Sequence, residues 1–176
     1  MNMDPKTTYA IEVDGLVKKF KNVTALDNLS FKIPEGVIAG FVGPNGAGKT
    51  TTLRILATLL KPDAGKAEVF GYNTSAPFSA NQARRCIGFM PDYFGLYNDM
   101  TAKEYLHFFA AAYHIPASKR ESLVEDILQV IGLEEKTDSL INGLSRGMRQ
   151  RLSLGRCLVH SPKLLLLDEP ASGLDP

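Results

Sequence analysis

Cysteine is scarce in this chain. Only Cys86 and Cys157 occur in 176 residues, they form no C-x-x-C pair, and both sit in apolar surroundings. Two buried free thiols in a reducing compartment are therefore expected. An excess of charge of one sign is also lacking. Lys and Arg number 20 against 19 for Asp and Glu, a formal net charge of +1, so no bulk field draws the chain to nucleic acid or to an anionic membrane. No apolar run approaches the roughly 18 residues of a membrane helix. The opening residues, Met1 to Thr8, lack the apolar centre of a secretion signal. The expectation is a cytosolic chain that meets a membrane only through a partner. What is present is an ordinary globular composition, 44% hydrophobic and 22% charged, at a length that buries a real core.

One stretch organises the rest. Gly43-Pro44-Asn45-Gly46-Ala47-Gly48-Lys49-Thr50, with Thr51 after it, fits G-x-x-x-x-G-K-S/T, the P-loop pattern. The apolar run 37–42 before it predicts a buried strand, and Leu53, Ile55, Leu56, Leu59 and Leu60 after it predict a helix packed on a sheet. Strand, loop and helix in that order are the context the motif requires. Glycines at 43, 46 and 48 let the backbone turn tightly with its N–H groups inward. The helix N-terminus and the Lys49 charge then favour a triphosphate, and the Thr50 hydroxyl is placed to ligate Mg²⁺.

Around this motif the chain punctuates itself. Residues 1–8 are expected as a loose tail. Strand-like alternation runs from Tyr9 to Val13 and from Leu29 to Ile33, and Pro34-Glu35-Gly36 marks a turn. Lys61 to Gly65 is a second turn, Lys66 to Phe70 a short strand, and a polar segment through Gln82, Arg84 and Arg85 precedes the strand Cys86 to Met90. From Pro91 the pattern turns helical. Capping boxes are read at Thr101 to Glu104 and Ser118 to Glu121. The apolar stripes Tyr105, Leu106, Phe109, Tyr113 and Leu123, Val124, Ile127, Leu128, Ile131 follow them, and Gly132 suits a helix end. A third helix is expected from about Gly147 to Val159, its arginines 149, 151 and 156 read as a solvated face. The leucines 164–167 predict a strand buried on both faces. The resulting fold class is α/β, a P-loop core with a mostly parallel sheet, N-terminal antiparallel strands and a helical subdomain. The core takes residues 9–91 and 160–176, and the helical subdomain with its signature takes 92–159.

Asp168-Glu169 end the leucine strand. With a phosphate cradle upstream, Asp168 is expected to serve Mg²⁺ and Glu169 to orient and deprotonate an attacking water.

Taken together these motifs resemble the nucleotide-binding domain of the ABC ATPase family, over residues 9–176. Leu144-Ser145-Arg146-Gly147-Met148-Arg149-Gln150 resembles the family signature L-S-G-G-Q, about twenty residues before Asp168-Glu169, and Ser172-Gly173-Leu174-Asp175 resembles the D-loop. The resemblance implies that Phe20 stacks on adenine and that Ser145 and Gly147 serve the nucleotide held by a second such domain, in a sandwich dimer closed by ATP. It also implies Mg²⁺ as cofactor, membrane-spanning permease subunits as partners, no nucleic acid, and a peripheral place on the cytoplasmic face of the membrane. Three positions depart from the pattern. Arg146 replaces a glycine and either adds a cation near the partner's phosphates or extends into solvent. Met148 replaces a glutamine. Asp92 stands at the Q-loop position, where it can accept from a Mg²⁺-bound water but cannot donate. Asp92 with the helical segment 93–115 most resembles ABC-2 exporter ATPases. The family's switch histidine lies beyond the D-loop, and His107, His114 and His160 all precede it, so a longer parent protein is expected. The alternatives are a soluble ABC ATPase acting on ribosomes or DNA, and a fragment that binds nucleotide without turnover.

Overall fold

The computed structural model describes residues 8–93 and 95–170. Most of the N-terminal tail, and the D-loop candidates at 172–175, lie outside the described residues. The chain forms two compact units, Met1–Ile87 and Gly88–Pro176.

In the first unit, β1 (Tyr9–Phe20) and β2 (Val23–Pro34) form an antiparallel hairpin, longer than the alternation alone predicts. Lys21 takes φ +48° in the two-residue turn between them. Ile11, Val13 and Leu16 of β1 are buried. Their even spacing breaks between Val13 and Leu16, where the register also shifts. That break hid the second half of the strand from a period-two reading. β3 (Ala64–Val69) pairs antiparallel with the other edge of β1, and β4 (Tyr72–Asn73) with β3, giving the order β2-β1-β3-β4. Gly65 makes the close approach possible: at φ +81°, a Cβ there would stand 2.2 Å from the Gly15 carbonyl oxygen. Asp63, in the turn before β3, accepts from Lys18 Nζ at 2.9 Å and from the Lys19 N–H at 2.7 Å. The Lys18 bond first, and then the backbone bond, hold its carboxyl below the usual range. α1 (Lys49–Leu56) packs on β2 and β3 through the buried Ile55 and Leu56.

One expectation fails here, and one segment left without an assignment proves helical. Residues 37–42 are not a buried strand. No strand of the described residues pairs with them, and Ile38 and Val42 are fully exposed. A strand apolar on both faces needs a neighbour along each edge, and the sheet of this unit supplies none to it. The polar segment before Cys86 is a helix, α2 (Pro77–Cys86). Pro77 opens it, and it buries only Ala80 and Ala83, too little apolar volume to stand out in sequence.

The second unit packs α3 (Ala102–Ala112), α4 (Ala117–Val130) and α5 (Arg146–Leu158) around Tyr105, Leu106, Val124, Leu128, Ile141 and Leu152. Each such side chain contributes about 1.5–3 kcal/mol when fully buried, far more than helix propensity. Burial pushes the Tyr105 phenol up to about 12. β5 (Ile87–Met90) and β6 (Leu164–Leu167) pair beside these helices. β6 is not buried throughout: Leu166 is enclosed but Leu165 is 40% exposed, because β6 has only β5 as a described neighbour. Both cysteines are free. Cys157 is buried, whereas Cys86, at the end of α2, is only half-buried.

The capping box at Thr101 forms in full. Its Oγ1 accepts from the Glu104 N–H at 3.2 Å, and the Glu104 carboxylate accepts from the Thr101 N–H at 2.8 Å. The second box does not form. Pro116 occupies the N-cap, Ser118 falls inside α4, and the Glu121 carboxylate instead binds Lys103 and His107 of α3. Thr101→Ala is expected to cost about 1 kcal/mol, read as a lower midpoint in denaturant. The bond to the Thr101 N–H, then that to its hydroxyl, lower the Glu104 pKa below its ordinary 4.5. That contribution is therefore present above pH 4.5 and lost as pH falls through the lowered value. Glu104→Gln, which removes the titrating group, should accordingly show a shallower loss of stability in acid.

Candidate functional site

In the first unit the glycine-rich loop leads straight into α1. Gly46 and Gly48 both hold φ +84°, which side-chain-bearing residues rarely adopt. A Cβ on Gly48 would stand 2.5 Å from both the Ala25 carbonyl oxygen and Leu26 Cδ2 of β2. The loop is thus pressed against the hairpin, and its placement depends on a glycine there. Lys49 Nζ donates to the Gly43 carbonyl at 2.6 Å and to the Pro44 carbonyl at 2.9 Å. An ammonium group has three donors, so the lysine is held over its own loop with donor capacity left for an anion. The first-turn N–H groups of α1, at Lys49, Thr50 and Thr51, have no intrahelical acceptors, and no acidic residue lies in that turn to compete for an anion. Thr52 Oγ1 turns back to the Gly48 carbonyl at 2.9 Å. Phe20 closes β1 at the hairpin end, half-exposed, with Lys18 Nζ 5.5 Å from its ring centroid. Pro44, Asn45 and Ala47 are all exposed, with the Ala47 N–H donating to the Pro44 carbonyl.

In the second unit Ser145 is the N-cap of α5, and its Oγ accepts from the Met148 N–H at 3.2 Å. Arg146 is exposed and Gly147 half-buried in the first turn. Asp92 lies exposed just past β5. Asp168 leaves β6 with its N–H on the Met90 carbonyl at 2.9 Å. It is 3% exposed, and its Oδ2 is buried without a partner among the described residues. A carboxylate oxygen kept from water with nothing to bind fits a site that awaits a cation or its bound water. Glu169 follows in the left-handed region at φ +49°, exposed. The unit therefore brings Asp168 and Glu169 together at one strand end and sets Ser145 and Gly147 at a helix start.

Two of the α5 arginines, Arg151 and Arg156, do more than face solvent. Arg151 Nη1 donates to the Ile131 and Gly132 carbonyls at 3.0 and 2.8 Å, capping α4. Gly132, at φ +62°, leaves room for it. Arg156 donates to the Phe89 carbonyl at 3.2 Å and lies over the Phe109 ring. Gln150 closes the signature run, but the sequence assigns it no role of its own. It is 3% exposed, and its Nε2 donates to the Pro170 carbonyl. Its spacing to Ser153 and Cys157 was the available signal, since all three share the buried face of α5.

The sequence profile of the ABC transporter family matches residues 26–172. The chain belongs to the ABC transporter family. It is 39% identical over 170 residues to the Nod factor export ATP-binding protein I of Ralstonia nicotianae, covering 97% of this chain and 52% of that protein. It is 39% identical over 175 residues to the daunorubicin/doxorubicin resistance ATP-binding protein of Streptomyces peucetius, covering 99% and 52%. The chain thus spans about half the length of these curated relatives. Among solved structures, CbiO1 of Clostridium perfringens, part of the ABC transporter complex cbiONQ, superposes with a TM-score of 0.84 at 26% identity, over 96% of this chain and 68% of that one. The fold class of this ABC family member is accordingly α/β with a P-loop core, and antiparallel N-terminal strands and helices accompany it.

Proposed function

We propose that this chain is the ATP-binding and ATP-hydrolysing part of an ABC exporter, driving transport by ATP-dependent closure of a dimer. The observation that carries the reading is the cradle: two glycines at φ +84°, the N-terminus of α1, and a lysine held at its mouth. In this reading Gly43, Pro44, Asn45, Gly46, Ala47, Gly48, Lys49, Thr50 and Thr51 hold the phosphates, and Phe20 stacks on adenine. Thr50 and Asp168 hold Mg²⁺, with Asp92 accepting from its water, and Ser145 and Gly147 serve the nucleotide of the second domain. The ion, when bound, compensates charge on the phosphates. Glu169 orients and deprotonates the attacking water. The exposed first turn of α5 presents the Ser145 hydroxyl and a helix N-terminus to an anion outside this chain, which supports a site completed by a second copy.

The named relatives are an export protein and a drug-resistance protein, which favours an exporter with membrane-spanning permease subunits. No helix among the described residues is long and apolar enough to cross a membrane. In this reading the membrane passage belongs to the partners, this chain lies peripherally on their cytoplasmic face, and no nucleic acid is expected. The core takes residues 9–91 and 160–176, and 92–159 form the helical subdomain.

Light scattering of the Glu169→Gln protein tests this directly. A dimer that appears only with Mg-ATP is the expected outcome. A protein that stays monomeric and binds no nucleotide would overturn the reading.

A further inference from the structure

We infer that Gln150 is a positioning residue for the turn that carries Glu169. The inference rests on the reading of Glu169 as the base. Both sides of that turn are tied down. Before it, the Asp168 N–H is held by the Met90 carbonyl at 2.9 Å. After it, the Pro170 carbonyl accepts from Gln150 Nε2. Glu169 sits between these two bonds with φ +49°, a backbone state that costs free energy for a residue with a side chain and persists only where its surroundings enforce it. The amide of Gln150 is one of those surroundings.

The other end of the same amide argues for position over packing. Gln150 is 3% exposed, and its Oε1 is buried with no partner among the described residues. A buried acceptor left empty is destabilising, and an apolar side chain of similar length would fill the space without that cost. The donor to Pro170 is what only the glutamine supplies. The helix that carries it is itself well fixed. Arg151 binds the Ile131 and Gly132 carbonyls, and Cys157 Sγ lies 3.2 Å from the Phe89 carbonyl. Ser145 caps this same helix, five residues before Gln150, about 7.5 Å along the axis. A displacement of α5 on engagement of Ser145 therefore reaches the Glu169 turn through one side chain.

The test uses the full-length protein with Gln150→Met, which keeps the length and removes the donor. Gln150→Glu is the second variant, since its carboxylate keeps the shape but cannot donate. With the turn loosened by roughly 1 Å, kcat should fall about ten- to a hundredfold. KM for ATP should stay within about twofold, a split that points to the chemical step and not to binding. In the Glu169→Gln background, adding Gln150→Met should lower residual turnover no further, because the two residues act as one unit. Unchanged kcat in either folded variant overturns the inference, as does a loss that multiplies in full in the double variant. If neither variant folds, Gln150 is a packing residue and the inference falls. Normal turnover by Glu169→Gln alone would sink the base assignment, whereas a loss there with none at Gln150 sinks only the positioning role.

Discussion

Replacing Lys49 by alanine is expected to abolish nucleotide binding in the full-length protein, and this is the largest effect on affinity that any one side chain here should produce. A unit charge about 4 Å from a phosphate contributes about 4 kcal/mol at an effective dielectric near 20, or roughly a thousandfold in Kd. Lys49 also shapes the loop, since its Nζ bridges the Gly43 and Pro44 carbonyls at 2.6 and 2.9 Å. The alanine variant therefore loses both the charge and the bond that draws the loop around it. Its fold should survive, because the side chain is only half-buried and α1 is held by Ile55 and Leu56. Titration calorimetry with Mg-ATP, beside a thermal melt, separates the two. An affinity within about tenfold of the parent, with the melt unchanged, would remove Lys49 from the site.

The fold was legible wherever one period ran unbroken and wherever a turn had strong chemistry. The helical unit illustrates this: its stripes at 105–109 and 123–131 are α3 and α4, and Thr101 and Gly132 act as start and stop signals. Legibility failed where tertiary context overrules local pattern. Residues 37–42 have the β-branched and aromatic character of a buried strand, yet a strand exists only with a neighbour, and none of the described strands pairs with them. Ser118 and Glu121 carry the letters of a capping box, but Pro116 starts the helix two residues early, and Glu121 is drawn to Lys103 and His107 on the next helix. That competition runs between residues 14 and 18 positions apart, which no local window registers.

The candidate site was legible because its parts are contiguous. A phosphate cradle is built from successive backbone N–H groups, so one run of eight residues carries it, and the glycines at 46 and 48 are the ones the structure holds at positive φ. The strand-end pair at 168–169 and the helix start at 145–147 are also short runs with one structural role each. What holds them is not contiguous. Gln150 reaches Pro170 across twenty residues, and Arg156 reaches Phe89 across sixty-seven. Their chemistry depends on what a fold brings opposite them, so a polar side chain on a helix reads as solvent-facing until the packing is known.

Glu169→Gln is expected to leave nucleotide binding within a few-fold while lowering turnover by about 10²–10⁴, the range general-base chemistry supplies. The substitution keeps side-chain length and shape, and it leaves the strained φ of +49° as it was, so the turn and its stability should not change. Only the ability to accept a proton is lost, since an amide nitrogen and oxygen cannot take one from water near neutral pH. Asp168 is untouched, and its buried Oδ2 stays as it was. Binding and chemistry should therefore separate cleanly, and ATP that is bound but not cleaved should trap the closed dimer. Phosphate release measured with Mg-ATP in excess decides the matter. A variant that turns over normally shows that the proton leaves by another route, and Glu169 then has no role at the reacting atoms.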